Sequence, residues 1–347
     1  MCEKILNRKN NLRNENKLNQ DIIKRKAIGL SSAIESAVGF WNQKSDSLNL
    51  KILSRYYALL HFTIAEQVSS LENNYGLKEI QKHTEYGGHG LGTIRNEEAS
   101  FPENFYSYVK NGGHFFSYSK FLDYDVKKIR IEKRIRKYSE VAKEDKLKLV
   151  SLVDLLRRIP ELQPLIEEYF NLSPLSFQIS YSNKNRKKNS IEGKNKISYL
   201  SINTKTELTD LDFFNNLDLP FKKIYQEDKS DRSRYMAELE HNSEVEWYNH
   251  LKLYKSSYCG TSLIVPMYEN VQDYTTINFM LMYSLSIIVR YLPDLWYEIN
   301  NGELDHIASL LKYYLSIFDK VIPLKILERI TGKKIRITMP GSLFGPI

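Results

Sequence analysis

Cysteine is nearly missing: the 347 residues hold two, Cys2 and Cys259. Cys2 lies in a polar N-terminal stretch, so no structural disulfide is expected and a reducing compartment is. No CxxC pair and no Cys/His cluster has zinc spacing, so no metal is expected. No Gly-x-Ser-x-Gly run marks a hydrolase nucleophile. Gly87-Gly88-His89-Gly90-Leu91-Gly92 is glycine-rich. It lacks the preceding strand and the following Lys-Ser/Thr of a phosphate loop, so it predicts a tight turn, and no cofactor is expected. Long apolar runs are missing too. The longest, INFMLMYSLSIIV at 277–289, is interrupted by Ser284 and Ser286 and falls short of the roughly 20 residues a membrane span needs. The N-terminal MCEKILNRKNNLRNENKLNQ has no apolar core of the signal-peptide kind. These absences predict a cytoplasmic protein with a buried apolar helix and no membrane partner.

What is abundant is lysine, arginine and tyrosine. The net charge is +8, and there are 24 tyrosines. The excess charge is local. Residues 1–28 carry eight basic and three acidic residues, 120–137 the same, and 183–196 six and one, so the rest of the chain is net acidic. Localised positive charge is what a nucleic acid or another anionic partner meets. A chain rich in Lys, Asn, Ile and Tyr also arises from an AT-biased genome without selection for binding, and 183–196 also fits a solvated insertion. The candidate nucleic-acid-binding residues are Lys127, Lys128, Arg130, Lys133, Arg134, Arg136 and Lys137, with Arg186, Lys187 and Lys188 in the second segment.

Apolar spacing of three and four predicts helices over 21–41 and 48–71. Residues 1–20 have no such period and predict a polar tail. Asn111-Gly112-Gly113, flanked by aromatics, predicts a hairpin over 104–122. Helical spacing returns over 146–170, with Pro160 and Pro164 marking a break. FQISYS and KISYLSI predict strands on either side of the basic loop, 236–254 predicts a helix and 261–267 an extended segment. Helices follow over 273–299, 303–319 and 320–331, with a Pro- and Gly-containing tail from 336 to 347. The fold class expected is α+β, predominantly α. The N- and C-terminal helices share one core beside a small β-containing middle, because neither end alone can cover its apolar stripes.

Four stretches taken together resemble the YaaC-like family of bacterial proteins: SRYYALLHFTIAEQ with HGL after it, FYSYVKNGGHFFSYSKFL, LVSLVDLLRRIPELQPLIEEYF, and NFMLMYSLSIIVRYLPDLWYEI followed by VIPLKILERITG. The most specific pieces are LLRRIPEL and the run from Arg290 to Trp296. The resemblance implies one domain over 21–335 in a bacterial cytoplasmic setting, and it carries no firmly assigned activity. Its segments are a helical hairpin at 21–100, a hairpin with a basic segment at 101–145, a helix at 146–172, a β-containing middle at 173–268 and C-terminal helices at 269–335. Tyr56-Tyr57-Ala58-Leu59-Leu60-His61 on a helix, with a His-Gly loop after it, also resembles the first hairpin of HEPN-type domains. Their ribonuclease members carry an Arg and a His four to six residues apart, and that resemblance makes Arg55 and His61 a candidate catalytic pair. Tyr56 departs from the polar residue that those members tend to have after the arginine.

A neutral histidine can move the 2′-hydroxyl proton of RNA, and an arginine can stabilise the phosphorane, so this pair is chemically sufficient without metal. Six positions on a straight helix, however, turn the side chains about 120° apart. Joint action would need an irregular helix or a groove completed by a second chain. The competing expectation is structural: Tyr57, Leu60 and Ile64 inward, His61 at the edge of that face and Arg55 nearer solvent. His83, His89 and His114 follow closely enough to converge with His61. Arg290 is expected to pair with Asp294 and pack on Trp296. The functional expectation is a binding component of bacterial phage defence or stress response, with RNA or DNA, a protein or a second copy of the chain as candidate partners. The alternatives are a HEPN-like metal-independent endoribonuclease and a structural interaction module.

Overall fold

The computed structural model describes residues 1–182, 191–192, 195–226, 228, 230–256, 258–268 and 270–335. The chain opens with α1 (Cys2–Asn11), α2 (Gln20–Trp41), α3 (Leu48–Ser69) and α4 (Leu77–Gly87). It continues through β1 (Leu91–Arg95), β2 (Phe105–Lys110), α5 (His114–Phe121), α6 (Val126–Ile129), β3 (Arg130–Ile131), α7 (Lys143–Lys146), β4 (Val150–Ser151), α8 (Leu152–Arg157) and α9 (Gln163–Phe170). The middle holds β5 (Ser176–Tyr181), β6 (Ile191–Glu192), β7 (Asn195–Asn203), α10 (Leu211–Asn215), β8 (Lys223–Tyr225), β9 (Arg234–Asn242), β10 (Leu253–Ser256) and β11 (Gly260–Ile264). Three helices close it: α11 (Tyr274–Tyr291), α12 (Pro293–Asn301) and α13 (Asp305–Thr331). The fold is α+β and predominantly α.

The chain divides into two compact units. One comprises Met1–Leu152 with the chain from Asn278 onward, the other Val153–Ile277. In the first unit α2 and α3 form a helical hairpin, and α13 packs on α3, so the two ends of the chain share one core. Asn19 caps α2, its Oδ1 accepting from the Ile22 N–H at 2.9 Å. Helix α3 is buried on nearly every side, which is why its apolar pattern is broad rather than a stripe. Residues 2–11, expected as tail, form a helix with Leu6 fully buried. Its cations fix it. Lys9 Nζ donates to the Ser69 and Ile330 carbonyls and Arg8 Nη2 to the Thr331 carbonyl, satisfying the ends of α3 and α13.

The glycine-rich turn and Asn111-Gly112-Gly113 are not separate features. Strand β2 pairs antiparallel with β1, Leu91 opposite Val109 and Arg95 opposite Phe105, so the hairpin is 91–110 and not 104–122. Asn111–Gly113 instead leads into α5. The two glycine segments lie back to back: His114 N–H donates to the Gly88 carbonyl and Phe115 N–H to the His89 carbonyl. Gly113 has φ +90°, and a Cβ there would meet Gly87 O and Gly90 N at 2.5 Å. Close backbone approach explains the glycines without any phosphate.

Helix α13 runs unbroken where two helices are expected. Pro323 removes one N–H, but the buried stripe Phe318, Ile322 and Ile326 continues across it and holds the chain helical. Between α11 and α12 the axis bends by 103°, with Pro293 in the first turn of α12. Among the described residues no single helix is long and apolar enough to cross a membrane.

In the second unit a sheet runs in the order β10-β11-β5-β7-β9-β8, with β6 beside β7 and every pairing antiparallel. Phe177, Leu200, Ile202, Tyr235 and Leu263 make its core with Phe214. Residues 236–254, expected as a helix, hold the rest of β9 to Asn242, a connection with one 3-10 turn at Trp247–Asn249, and the start of β10. Met236, Ala237 and Leu239 are all buried in β9, so the strand opens without a clean period of two, and the polar connection after it adds none. The LLRRIPEL segment closes the sheet's end. Arg158 is buried and donates to the carbonyls of Asp154, Val265 and Pro266, and Glu161 accepts from Tyr254, Ser256 and Tyr274.

Candidate functional site

Arg55 and His61 take different directions. Arg55 is 8 % exposed. Its Nε and Nη2 donate to the two Asp319 carboxylate oxygens at 2.7 and 3.1 Å, and Nη1 donates to the Trp41 carbonyl. Its guanidinium lies 4.7 Å from the Trp41 ring centre. Arg55 is therefore buried, not nearer solvent as expected, because a carboxylate on α13 and an aromatic face on α2 both reach it. His61 is half-buried and stacks on Phe40, which also stacks on Tyr57. Burial holds the His61 pKa below its ordinary value. No hydrogen bond or ring contact joins Arg55 to His61 among the described residues.

The other histidines do gather. His114 is fully buried, and its Nε2 meets Thr63 Oγ1 at 2.8 Å. Thr63 gives its own proton to the Leu60 carbonyl, so Nε2 is the protonated nitrogen and Nδ1 is left bare and without a partner. Burial, then the fields of His89, His61 and His83, pull His114 down to about 3. His89 sits against Tyr56 and Tyr283, while His83 is exposed. Among the described residues no group of three His, Cys, Asp or Glu side chains is placed to hold a metal ion. Arg290 and Trp296 do not form the expected staple. Arg290 bonds to Ser286 and Tyr57 and lies over Tyr291, and Trp296 Nε1 donates to Asn49, because the bend after α11 turns the two side chains to different neighbours.

The basic segment contributes to a groove. A cavity of about 830 Å³ is lined by Arg95, Arg136, Lys137, Lys146 and Tyr138, and also by Glu97 and Glu98. All four cations are exposed. Tyr138 stacks on Tyr106 at 5.4 Å and carries Lys146 Nζ 5.1 Å above its ring. Lys127, Lys128, Lys133 and Arg134 are exposed outside the groove lining. Arg130 is half-buried, donating to Asn111 and Glu132. Arg186, Lys187 and Lys188 lie outside the described residues. Sequence reasoning missed Arg95, Tyr138 and Lys146. Arg95 is an isolated charge, and Lys146 sits in a charge-balanced stretch. Only folding brings them to Arg136 and Lys137.

No curated protein and no solved structure matches the chain. The family described as YaaC-like Protein matches residues 3–330, nearly the whole length, and the chain belongs to that family.

Proposed function

We propose that the protein binds single-stranded nucleic acid along the groove of Arg95, Arg136, Lys137 and Lys146. The observation that supports this is four exposed cations lining one cavity beside a tyrosine ring. Phosphates supply affinity by releasing counterions from such cations, and an aromatic face stacks a base without asking for its sequence. A single strand suits the groove because its backbone can follow the cations; Tyr138, already stacked on Tyr106 and covered by Lys146, offers its ring to a base as Lys146 swings onto a phosphate. Arg55 does not enter the binding chemistry, since it is committed to Asp319.

The test is fluorescence anisotropy of a labelled 20-nucleotide single-stranded RNA at low salt. The Arg95→Glu/Lys146→Glu variant should bind at least about tenfold more weakly, two phosphate contacts being lost. Wild type that does not bind at low salt, or a variant that binds equally well, removes the proposal.

A further inference from the structure

The C-terminal ends of α1, α3 and α13 enclose a second cavity, of about 450 Å³. Arg8, Lys9 and Arg13 line it from α1 and the residues just after, Arg329 from α13, and Glu66 and Glu72 from the end of α3. It shares no residue with the groove. Four cations therefore face two carboxylates. Arg8 and Lys9 donate to the carbonyls that end α3 and α13. A helix C-terminus carries about half a negative charge, so the two ends offset one of these cations and not both. Arg329 is balanced by Glu66 at 3.3 Å, and Arg13 by Glu72 at 3.1 Å.

The two ion pairs differ in what they can release. Glu66 is buried and also accepts from Tyr118 Oη at 2.7 Å. The Glu72 side chain is 81 % exposed, yet Arg13 grips it with both prongs, Nη1 to Oε1 at 3.1 Å and Nη2 to Oε2 at 3.4 Å. An exposed pair contributes little and is broken at little cost. Glu72 thus fills the Arg13 fork with a carboxylate that the oxygens of another anion can replace. With Glu72 turned out to water, about two positive charges are left in the cavity. Donors are in surplus as well. Lys9 Nζ has three N–H bonds and gives two of them to the Ser69 and Ile330 carbonyls. Arg8 Nε is closed off from solvent and has no hydrogen-bond partner among the described residues. The rest of the wall is apolar: Leu71 is buried, and the Phe121 ring stacks on Tyr118 at 6.0 Å.

We infer that this cavity binds a nucleoside monophosphate. Near pH 7 a phosphate monoester carries about −1.5 to −2 charges, which matches the excess left once Glu72 has moved. The Arg13 fork takes two phosphate oxygens, and Lys9 lends its third N–H and its charge. Phe121 and Leu71 give the base an aromatic and an aliphatic surface. The volume lies within the range of small-molecule sites. Binding here does not depend on the groove.

The experiment is isothermal titration calorimetry of the full chain with 5′-AMP, 5′-UMP, inorganic phosphate and adenosine. It is run on wild type, Arg13→Ala, Glu72→Gln and Arg136→Glu/Lys137→Glu, the last of which alters the groove alone. At least one mononucleotide should bind wild type more tightly than inorganic phosphate does, adenosine should not bind, and the groove variant should match wild type. Arg13→Ala should weaken binding about tenfold or more, because charge-assisted bonds are lost. Glu72→Gln should tighten it about threefold, because the competing carboxylate is gone. An Arg13–Glu72 pair with only a structural role predicts no tightening. Glu72 is exposed, so its variant tests the site even if Arg13→Ala loosens α1. Binding of neither mononucleotide, adenosine or phosphate binding as tightly as the nucleotides, loss of binding in the groove variant, or unchanged affinity in Arg13→Ala or Glu72→Gln overturns the inference.

Discussion

Arg55 and Asp319 stand 264 positions apart in the chain and meet in a two-pronged ion pair, Nε to Oδ1 at 2.7 Å and Nη2 to Oδ2 at 3.1 Å. The pair ties α3 to α13, and Lys51 adds a longer contact to the same carboxylate. Removing Arg55 leaves the half-buried Asp319 carboxylate with only the longer Lys51 contact and takes the donor from the Trp41 carbonyl. Arg55→Ala should therefore cost about 3 kcal/mol of stability, measured by urea unfolding. Arg55→Met with Asp319→Leu should recover much of that loss, because an apolar pair of similar volume needs no compensation. An Arg55→Ala protein as stable as wild type would show that the pair holds nothing together.

His114 makes stability depend on pH with a defined sign. Its folded-state pKa of about 3 lies below the ordinary 6.5. Between those values the unfolded chain takes up a proton that the folded chain refuses. Stability from this group is present above about pH 6.5 and is lost as pH falls toward 3, at ~1.4 kcal/mol per pH unit. Burial of His61 and His89 acts in the same direction. Urea midpoints at pH 7, 6, 5 and 4 should fall steeply in wild type and less steeply in His114→Gln. Identical slopes would mean that the unfolded and folded chains bind the His114 proton alike.

Much of this architecture is legible in the sequence, and the reasons it is legible are local. Helices α2 and α3 announce themselves by three-and-four spacing, and the terminal helices share a core because each leaves an apolar face uncovered. The shape of the hairpin is not legible. Asn111-Gly112-Gly113 has the composition of a strand-to-strand turn, and only the backbone of 87–90 packed against it makes it a strand-to-helix turn. The status of Arg55 depends on Asp319, and that of Arg95 and Lys146 on a cavity built from three segments. Partners that distant leave no periodic trace in the chain.

The motif LLRRIPEL is a structural seat, and Arg158 is its centre. Arg158 is buried and closes three carbonyls, those of Asp154, Val265 and Pro266. Arg158→Met keeps the volume and loses the donors. It should cost about 3 kcal/mol, since hydrogen bonds to a charged group are lost and buried carbonyls are left bare. Differential scanning calorimetry should show a lower Tm in this variant, and an unchanged Tm would show that those carbonyls find other donors.

The groove is the central claim, and the salt dependence of binding tests it most directly. The measurement is log K for single-stranded RNA against log salt concentration, in wild type and in Arg136→Glu/Lys137→Glu. Each phosphate contact contributes about −0.7 to the slope. Four groove cations therefore predict a wild-type slope near −2.8, and the variant should lose at least about 1.4 of it, with weaker binding at every salt concentration. A wild-type slope near zero, or a variant with the wild-type slope and affinity, would contradict the account.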